Sequence, residues 1–245
     1  MKDALKDILL DIVQHTHNLG IIDLIKVVGT DRETAITAVG NEKLVVAEAR
    51  FHNPIADFIG TFGMPNLDKL NIILGIPEYR EEAVITMQKQ DGELSGISFT
   101  NKAGDFKNSY RFMDAKNVNN KVPTVSLKTT IQYDVEVEPS VANIQRLKFQ
   151  SQANSDEITF TAQVKDDKLE FSFGTASTHA GNFVFANNVK GRLASNRSWP
   201  VAVFLSILNL PGDKMLRFSD RQGIAEITVD SGIAMYNYKI PALTK

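Results

Sequence analysis

Apolar residues near the start of the chain recur at Leu5, Ile8, Leu9, Ile12 and Val13, one face of a 3.6-residue helix. Asn18-Leu-Gly20 supplies its stop. The period then shortens to that of strands at 22–28, 34–39 and 44–52, the last two joined through Gly40-Asn-Glu-Lys43. From Phe51 to Pro77 the pattern predicts two short helices, entered at Pro54 and Pro65 and separated by a glycine-proline corner. The second buries Leu67, Leu70, Ile73 and Leu74 and ends at Gly75 and Pro77. Strands follow at 84–90, 94–100 and 106–113, with Asp91-Gly92 as a hairpin turn.

From Asp114 to Pro123 the pattern breaks. The stretch is polar and Asn-rich, and reads as a connector punctuated by Val118 and Val122. The order then restarts: a strand at 131–137, and a helix at 139–153 with Val141, Ile144, Leu147 and Phe149 toward the core. Next come strands at 157–164, 168–173 and 182–189, a helix at 201–209 opened by Trp199-Pro200, and strands at 215–219, 224–229 and 233–240. Ile73-Leu74-Gly-Ile-Pro77 returns as Ile207-Leu208-Asn-Leu-Pro211, and Leu5 and Ile8 return as Val141 and Ile144, nearly the same number of residues later. A steady offset across two elements marks a duplicated unit. The expected fold class is α+β: two duplicated domains, each with helices on one face of antiparallel sheets. The expected boundaries are 1–113, a connector at 114–125, and 126–245.

Composition narrows the function. There is no cysteine, hence no disulfide or thiolate metal site. No apolar run reaches the length of a membrane span, and Asp3 and Asp7 interrupt the first helix, so no secretory signal is expected. Both features fit a cytoplasmic protein. Net charge is −2, but residues 1–113 hold 12 Lys/Arg against 16 Asp/Glu and residues 114–245 hold 15 against 13. His15 and His17 point roughly 200° apart on a helix and cannot share a metal; they are expected at the surface or at a cap. The carboxylate pairs Glu81-Glu82 and Asp166-Asp167 fall in turns. No phosphate loop, nucleophile elbow or His-Glu-x-x-His helix occurs. An enzyme with scattered catalytic residues, or a small-molecule binder with its site at the domain junction, stays open at this point.

Several stretches together carry a resemblance. Thr61-Phe-Gly-Met-Pro-Asn-Leu-Asp-Lys-Leu-Asn-Ile-Ile-Leu74, Phe112-Met-Asp114 followed by Val122-Pro123, and the ending Met235-Tyr-Asn-Tyr-Lys-Ile-Pro241 resemble DNA polymerase sliding clamps. They are most similar to the processivity clamps of large tailed bacteriophages, and the chain is similar also to the proliferating cell nuclear antigen-type clamps. The resemblance covers essentially the whole chain.

It implies a non-enzymatic homotrimeric ring around duplex DNA. Such a ring tethers the replicative DNA polymerase, is opened by a separate clamp loader ATPase, and needs neither cofactor nor metal. The implied DNA-facing residues are Lys2, Lys6, Lys69, Arg146, Lys148 and Arg197, with Arg146 foremost. Phe106, Tyr110 and Phe112 on one edge strand, and Phe183 and Phe185 on another, would form the subunit interface. Val118, Val122, Pro123, Tyr238, Ile240 and Pro241 would line a groove for partner peptides.

Overall fold

A computed structural model describes residues 4–80, 82–122, 130–175 and 179–243. The chain divides into two compact units, residues 1–126 with 231–236, and 127–230 with 237–245.

In the first unit, α1 (Ala4–His15) leads into β1 (Leu24–Gly29), β2 (Thr34–Val39), β3 (Val46–Phe51) and β4 (Gly60–Pro65). Then come α2 (Leu67–Gly75) and the strands β5 (Val84–Gln90), β6 (Glu93–Thr100) and β7 (Lys107–Arg111). The sheets are antiparallel, ordered β4-β1-β2-β3 and β5-β6-β7. Helices α1 and α2 pack together. They bury Leu9, Ile12 and Val13 from one, and Leu67, Leu70, Ile73 and Leu74 from the other, within a core that includes Ile25, Val27 and Phe62. At the β5–β6 hairpin both Asp91 and Gly92 take positive φ, 53° and 85°, the geometry this dipeptide favours.

The second unit repeats the order. A short strand β8 (Val135–Val137) precedes α4 (Val141–Ala153), α3 being the connector helix described below. Then follow β9 (Thr159–Lys165), β10 (Lys168–Phe173), β11 (Gly181–Asn187), β12 (Ser198–Pro200), α5 (Val201–Leu208), β13 (Asp213–Ser219), β14 (Ile224–Asp230) and β15 (Ala234–Pro241), whose first residues, 234–236, belong to the first unit. Its four-stranded sheet runs β11-β10-β9-β12, and β13 lies between β14 and β8. Both units therefore read helix, four strands, helix, three strands, with equivalent pairing: β12-β9-β10-β11 repeats β4-β1-β2-β3. Even the sheet ends match. Met113, just past β7, bridges Gly63 in β4, and Leu243, just past β15, bridges Ser198 in β12. An aromatic cluster fills the second core. Phe204 of α5 stands edge-on to Phe160 at 4.9 Å, and Trp199 lies 5.0 Å from Phe218.

Five expectations are corrected. The connector is not irregular: Ala115–Lys121 is helix α3, because the Asp114 side chain accepts from the Asn117 N–H and caps it, while Val118 and Val122, one turn apart, both bury. The first short helix after Pro54 is only a single 3-10 turn, Ala56–Phe58. The glycine-proline corner is strand β4, with Val27↔Phe62 and Ile25↔Met64 in register; tertiary pairing outweighs the weak strand propensity of Gly63 and Pro65. In α4 the buried stripe is Ile144 and Leu147 alone, and Val141 and Phe149 stand 76% and 63% exposed. The strand expected at 131–137 shortens to Val135–Val137, the part that pairs with β13.

Leu147→Ala is expected to lower unfolding stability by about 2–5 kcal/mol, as for a fully buried leucine. Val141→Ala should stay within about 0.5 kcal/mol, the range for an exposed position. Urea denaturation of the two variants checks the corrected helix face.

Candidate nucleic-acid and subunit interfaces

Helix α4 is built by a reciprocal cap. The Ser140 hydroxyl accepts from the Asn143 N–H, and the Asn143 side chain accepts from the Ser140 N–H. From there one face of α4 runs along β11, the end strand of its sheet. Asn143 Nδ2 donates to Phe185 O, Arg146 Nη1 to Val184 O at 2.8 Å, and Gln150 Nε2 to Asn182 O at 3.4 Å. The Arg146 guanidinium also lies 5.4 Å over the Phe183 ring. These side chains, three and four residues apart on one helix face, satisfy strand carbonyls.

The six cations foreseen as DNA-facing therefore sit differently. Lys2 lies outside the described residues. Lys6 Nζ donates to Tyr79 O at 2.6 Å and Arg80 O at 2.9 Å. Arg146 is held by β11. Arg197 donates from Nε to Asp220 O at 2.9 Å and from Nη2 to Arg221 O at 3.2 Å. These three are held in fixed positions. Lys69 on α2 and Lys148 on α4 are exposed, with no side-chain partner among the described residues. Helix α4 carries Arg146 and Lys148 and no acidic residue, whereas α1 sets Asp7 and Asp11 against Lys6.

The aromatic residues foreseen at the subunit interface mostly turn into their own units. Tyr110 is buried, and its hydroxyl donates to Pro65 O; burial, then the nearby Asp23 charge, raises its pKa. Phe112 stacks on Phe62 at 4.4 Å, and Phe185 on Phe171 at 4.5 Å. Phe183 is 8% exposed and Phe106 42%. Both strands end their sheets, β7 in the first unit and β11 in the second, so what they present sideways is chiefly backbone. Of the residues foreseen for the peptide groove, Val118 and Val122 are buried in the first unit, where Val118 packs over Gly63. A Cβ at Gly63 would come 2.7 Å from Val118 Cγ2. Tyr238 and Ile240 are buried and Pro241 is exposed. Pro123 lies outside the described residues.

A buried polar group escaped the sequence reading. His15, expected at the surface, is 1% exposed. Its Nδ1 lies 2.9 Å from Asp11 O and 3.2 Å from Asp11 Oδ1, and its ring stacks on Tyr236 at 4.6 Å. The Tyr236 hydroxyl donates to Asp11 Oδ2 at 2.8 Å. The i, i+4 spacing of Asp11 and His15 was visible; that Tyr236 closes the group was not. Among the described residues no group of three or more His, Cys, Asp or Glu could hold a metal ion, and no helix is long and apolar enough to cross a membrane.

Asp220 anchors the loop that carries Arg197. It accepts from Ala194 N at 3.2 Å and Ser195 N at 3.1 Å. Partial burial would raise its pKa, but bonds from Ser195 and Ala194 and the Arg197 charge outweigh it, and the net shift is downward. A depressed folded pKa adds stability above the ordinary aspartate range, lost as pH falls through the folded value. Asp220→Asn should thus lower stability at neutral pH and flatten its fall on acidification, read from thermal unfolding between pH 7 and 3.

No family model matches the sequence, and no curated protein matches it. Solved structures do. A. fulgidus PCNA, solved with the C-terminal region of FEN-1 bound, matches at TM-score 0.68 and 9% identity, over 100% of this chain and 97% of that one. PCNA from Thermococcus kodakaraensis matches at 0.64 and 10%, over 99% and 97%. The protein from Entamoeba histolytica, Proliferating Cellular Nuclear Antigen, matches at 0.65 and 12%, over 98% and 95%. With helix, four strands, helix and three strands occurring twice along the whole length, the chain has the PCNA-type clamp fold.

Proposed function

We propose that this chain is a DNA sliding clamp, a processivity factor that closes as a homotrimer around duplex DNA and tethers a replicative DNA polymerase. The observation that carries the reading is the end-to-end correspondence of a duplicated unit with clamp structures. Fold likeness alone does not assign function, so the reading also leans on the chemistry of the surfaces.

Clamping requires topology and low friction rather than base readout, and sparse cations on helices suffice for non-specific phosphate contact. Lys69 and Lys148 are the mobile contributors; Lys6, Arg146 and Arg197 add fixed positive potential, and Lys2 completes the set. Ring closure is assigned to the end strands β7 and β11. Main-chain pairing between neighbouring copies would remove two exposed edges, with Phe106 adding apolar contact. The connector at 114–125 joins clamp domains 1–113 and 126–245. Partner peptides, from the polymerase or a clamp loader ATPase, are assigned to the connector and the C-terminal strand, where Pro241 is the exposed member. The A. fulgidus neighbour, with the C-terminal region of FEN-1 bound, supports partner binding through a terminal segment. The reading includes a cytoplasmic location, that of the host cell if the protein is viral. No enzymatic step, cofactor or metal enters this reading.

Light scattering at micromolar concentration should give the mass of three chains, and the protein should be retained on nicked circular DNA but lost when that DNA is linearised. A monomer that shows no difference between circle and line would end the proposal. The double variant Lys69→Glu, Lys148→Glu should keep the trimer mass and lower polymerase processivity severalfold at low salt, with the deficit shrinking as salt rises.

A further inference from the structure

The outward face of α4 combines features that neither the core nor the edge of β11 uses. Phe149 is 63% exposed near its centre, with Gln145 one turn before, Gln152 one turn after and Lys148 adjacent. Val141, 76% exposed, lies two turns back on the same side, roughly 12 Å away at 1.5 Å per residue. No acidic residue occurs anywhere from Val141 to Ala153, in a chain whose net charge is −2. Arg146 is turned aside to Val184 O and Phe183, which leaves Lys148 as the free cation of this face among the described residues. Folding gains little from a phenylalanine left in water, so its ring stays available to a ligand.

The charge pattern selects an anionic occupant, and the ring selects one with an exposed π-face. Intact duplex offers phosphates along its flank but keeps its base faces stacked inside. Unpaired bases offer both, and aromatic stacking beside a cation is how proteins hold single strands without sequence preference.

We propose that α4 holds single-stranded DNA, with Phe149 stacking on an unpaired base, Lys148 meeting the adjacent phosphate, and Gln145 and Gln152 bonding base edges or sugar. The inference rests on the DNA-tracking role proposed above. In that role the contact would act where duplex gives way to single-stranded template, and would bias the clamp to pause at such junctions.

The test measures binding of the full chain to a fluorescent oligo(dT) and to a blunt hairpin duplex by anisotropy across a salt series. Phe149→Ala should weaken oligo(dT) binding about tenfold, at the lower end of base–aromatic stacking, with duplex binding and salt slope unchanged. Phe149→Trp should restore it. Lys148→Gln should lower the salt slope by roughly 0.7, one single-strand phosphate contact. Unchanged oligo(dT) binding in Phe149→Ala, or equal loss on duplex, overturns the inference. So does a fall in mass by light scattering, which would make Phe149 a contact between copies, or loss of binding to phosphatidylserine vesicles, which would make the face a lipid contact. Wild-type protein lost from circular DNA would overturn the tracking role itself. Protein retained on circles but indifferent to Phe149→Ala would overturn this inference alone.

Discussion

A sheet's last strand carries main-chain donors and acceptors that must find partners, and this protein is arranged around how each such edge is met. In the first unit the edge of β4 is bridged by Met113, which the chain reaches directly after β7. In the second, the edge of β12 is bridged by Leu243, reached directly after β15. The same closure appears twice because the same unit was built twice. Where no strand arrives, as at β11, amide and guanidinium groups of α4 reach carbonyls instead. Such side-chain bonds are individually modest and can be exchanged for a strand, which suits an edge that is both stable alone and available for pairing.

That arrangement changes how the cations are understood. Arg146 looked like the strongest phosphate contact because it lies off the buried stripe of its helix. It is instead spent on β11, and Lys6 and Arg197 are likewise fixed to carbonyls. Positive potential is thus anchored to the backbone at several points, and of the six foreseen cations Lys69 and Lys148 are exposed with no side-chain partner among the described residues. A chain with slight net negative charge can still be locally attractive to phosphate when one helix is free of acids, since exposed charges beyond a Debye length are largely screened.

Burial of the buried polar group obeys a related constraint. Asp11 is taken out of water together with the hydroxyl of Tyr236 and the ring of His15, so its acceptors are used rather than stranded. The group ties α1 to the segment that begins β15, and it removes Asp11 from any surface that would repel phosphate. Asp7 remains exposed.

The duplicated order, the α+β class, the hairpin at Asp91-Gly92 and the apolar faces of α1 and α2 were legible in the chain itself. Each follows from local periodicity or from the backbone preferences of one or two residues. What required the tertiary structure were features set by distant partners. The strand character of 60–65 depends on β1, the exposure of Phe149 and Val141 depends on how α4 lies against β11 and α5, and the interior place of His15 depends on Tyr236. The connector's helix lies between these cases: its cap at Asp114 and the one-turn spacing of Val118 and Val122 were present, but a stretch of seven helical residues is too short to hold by propensity alone. Periodicity says that a face is apolar; only packing says what it meets.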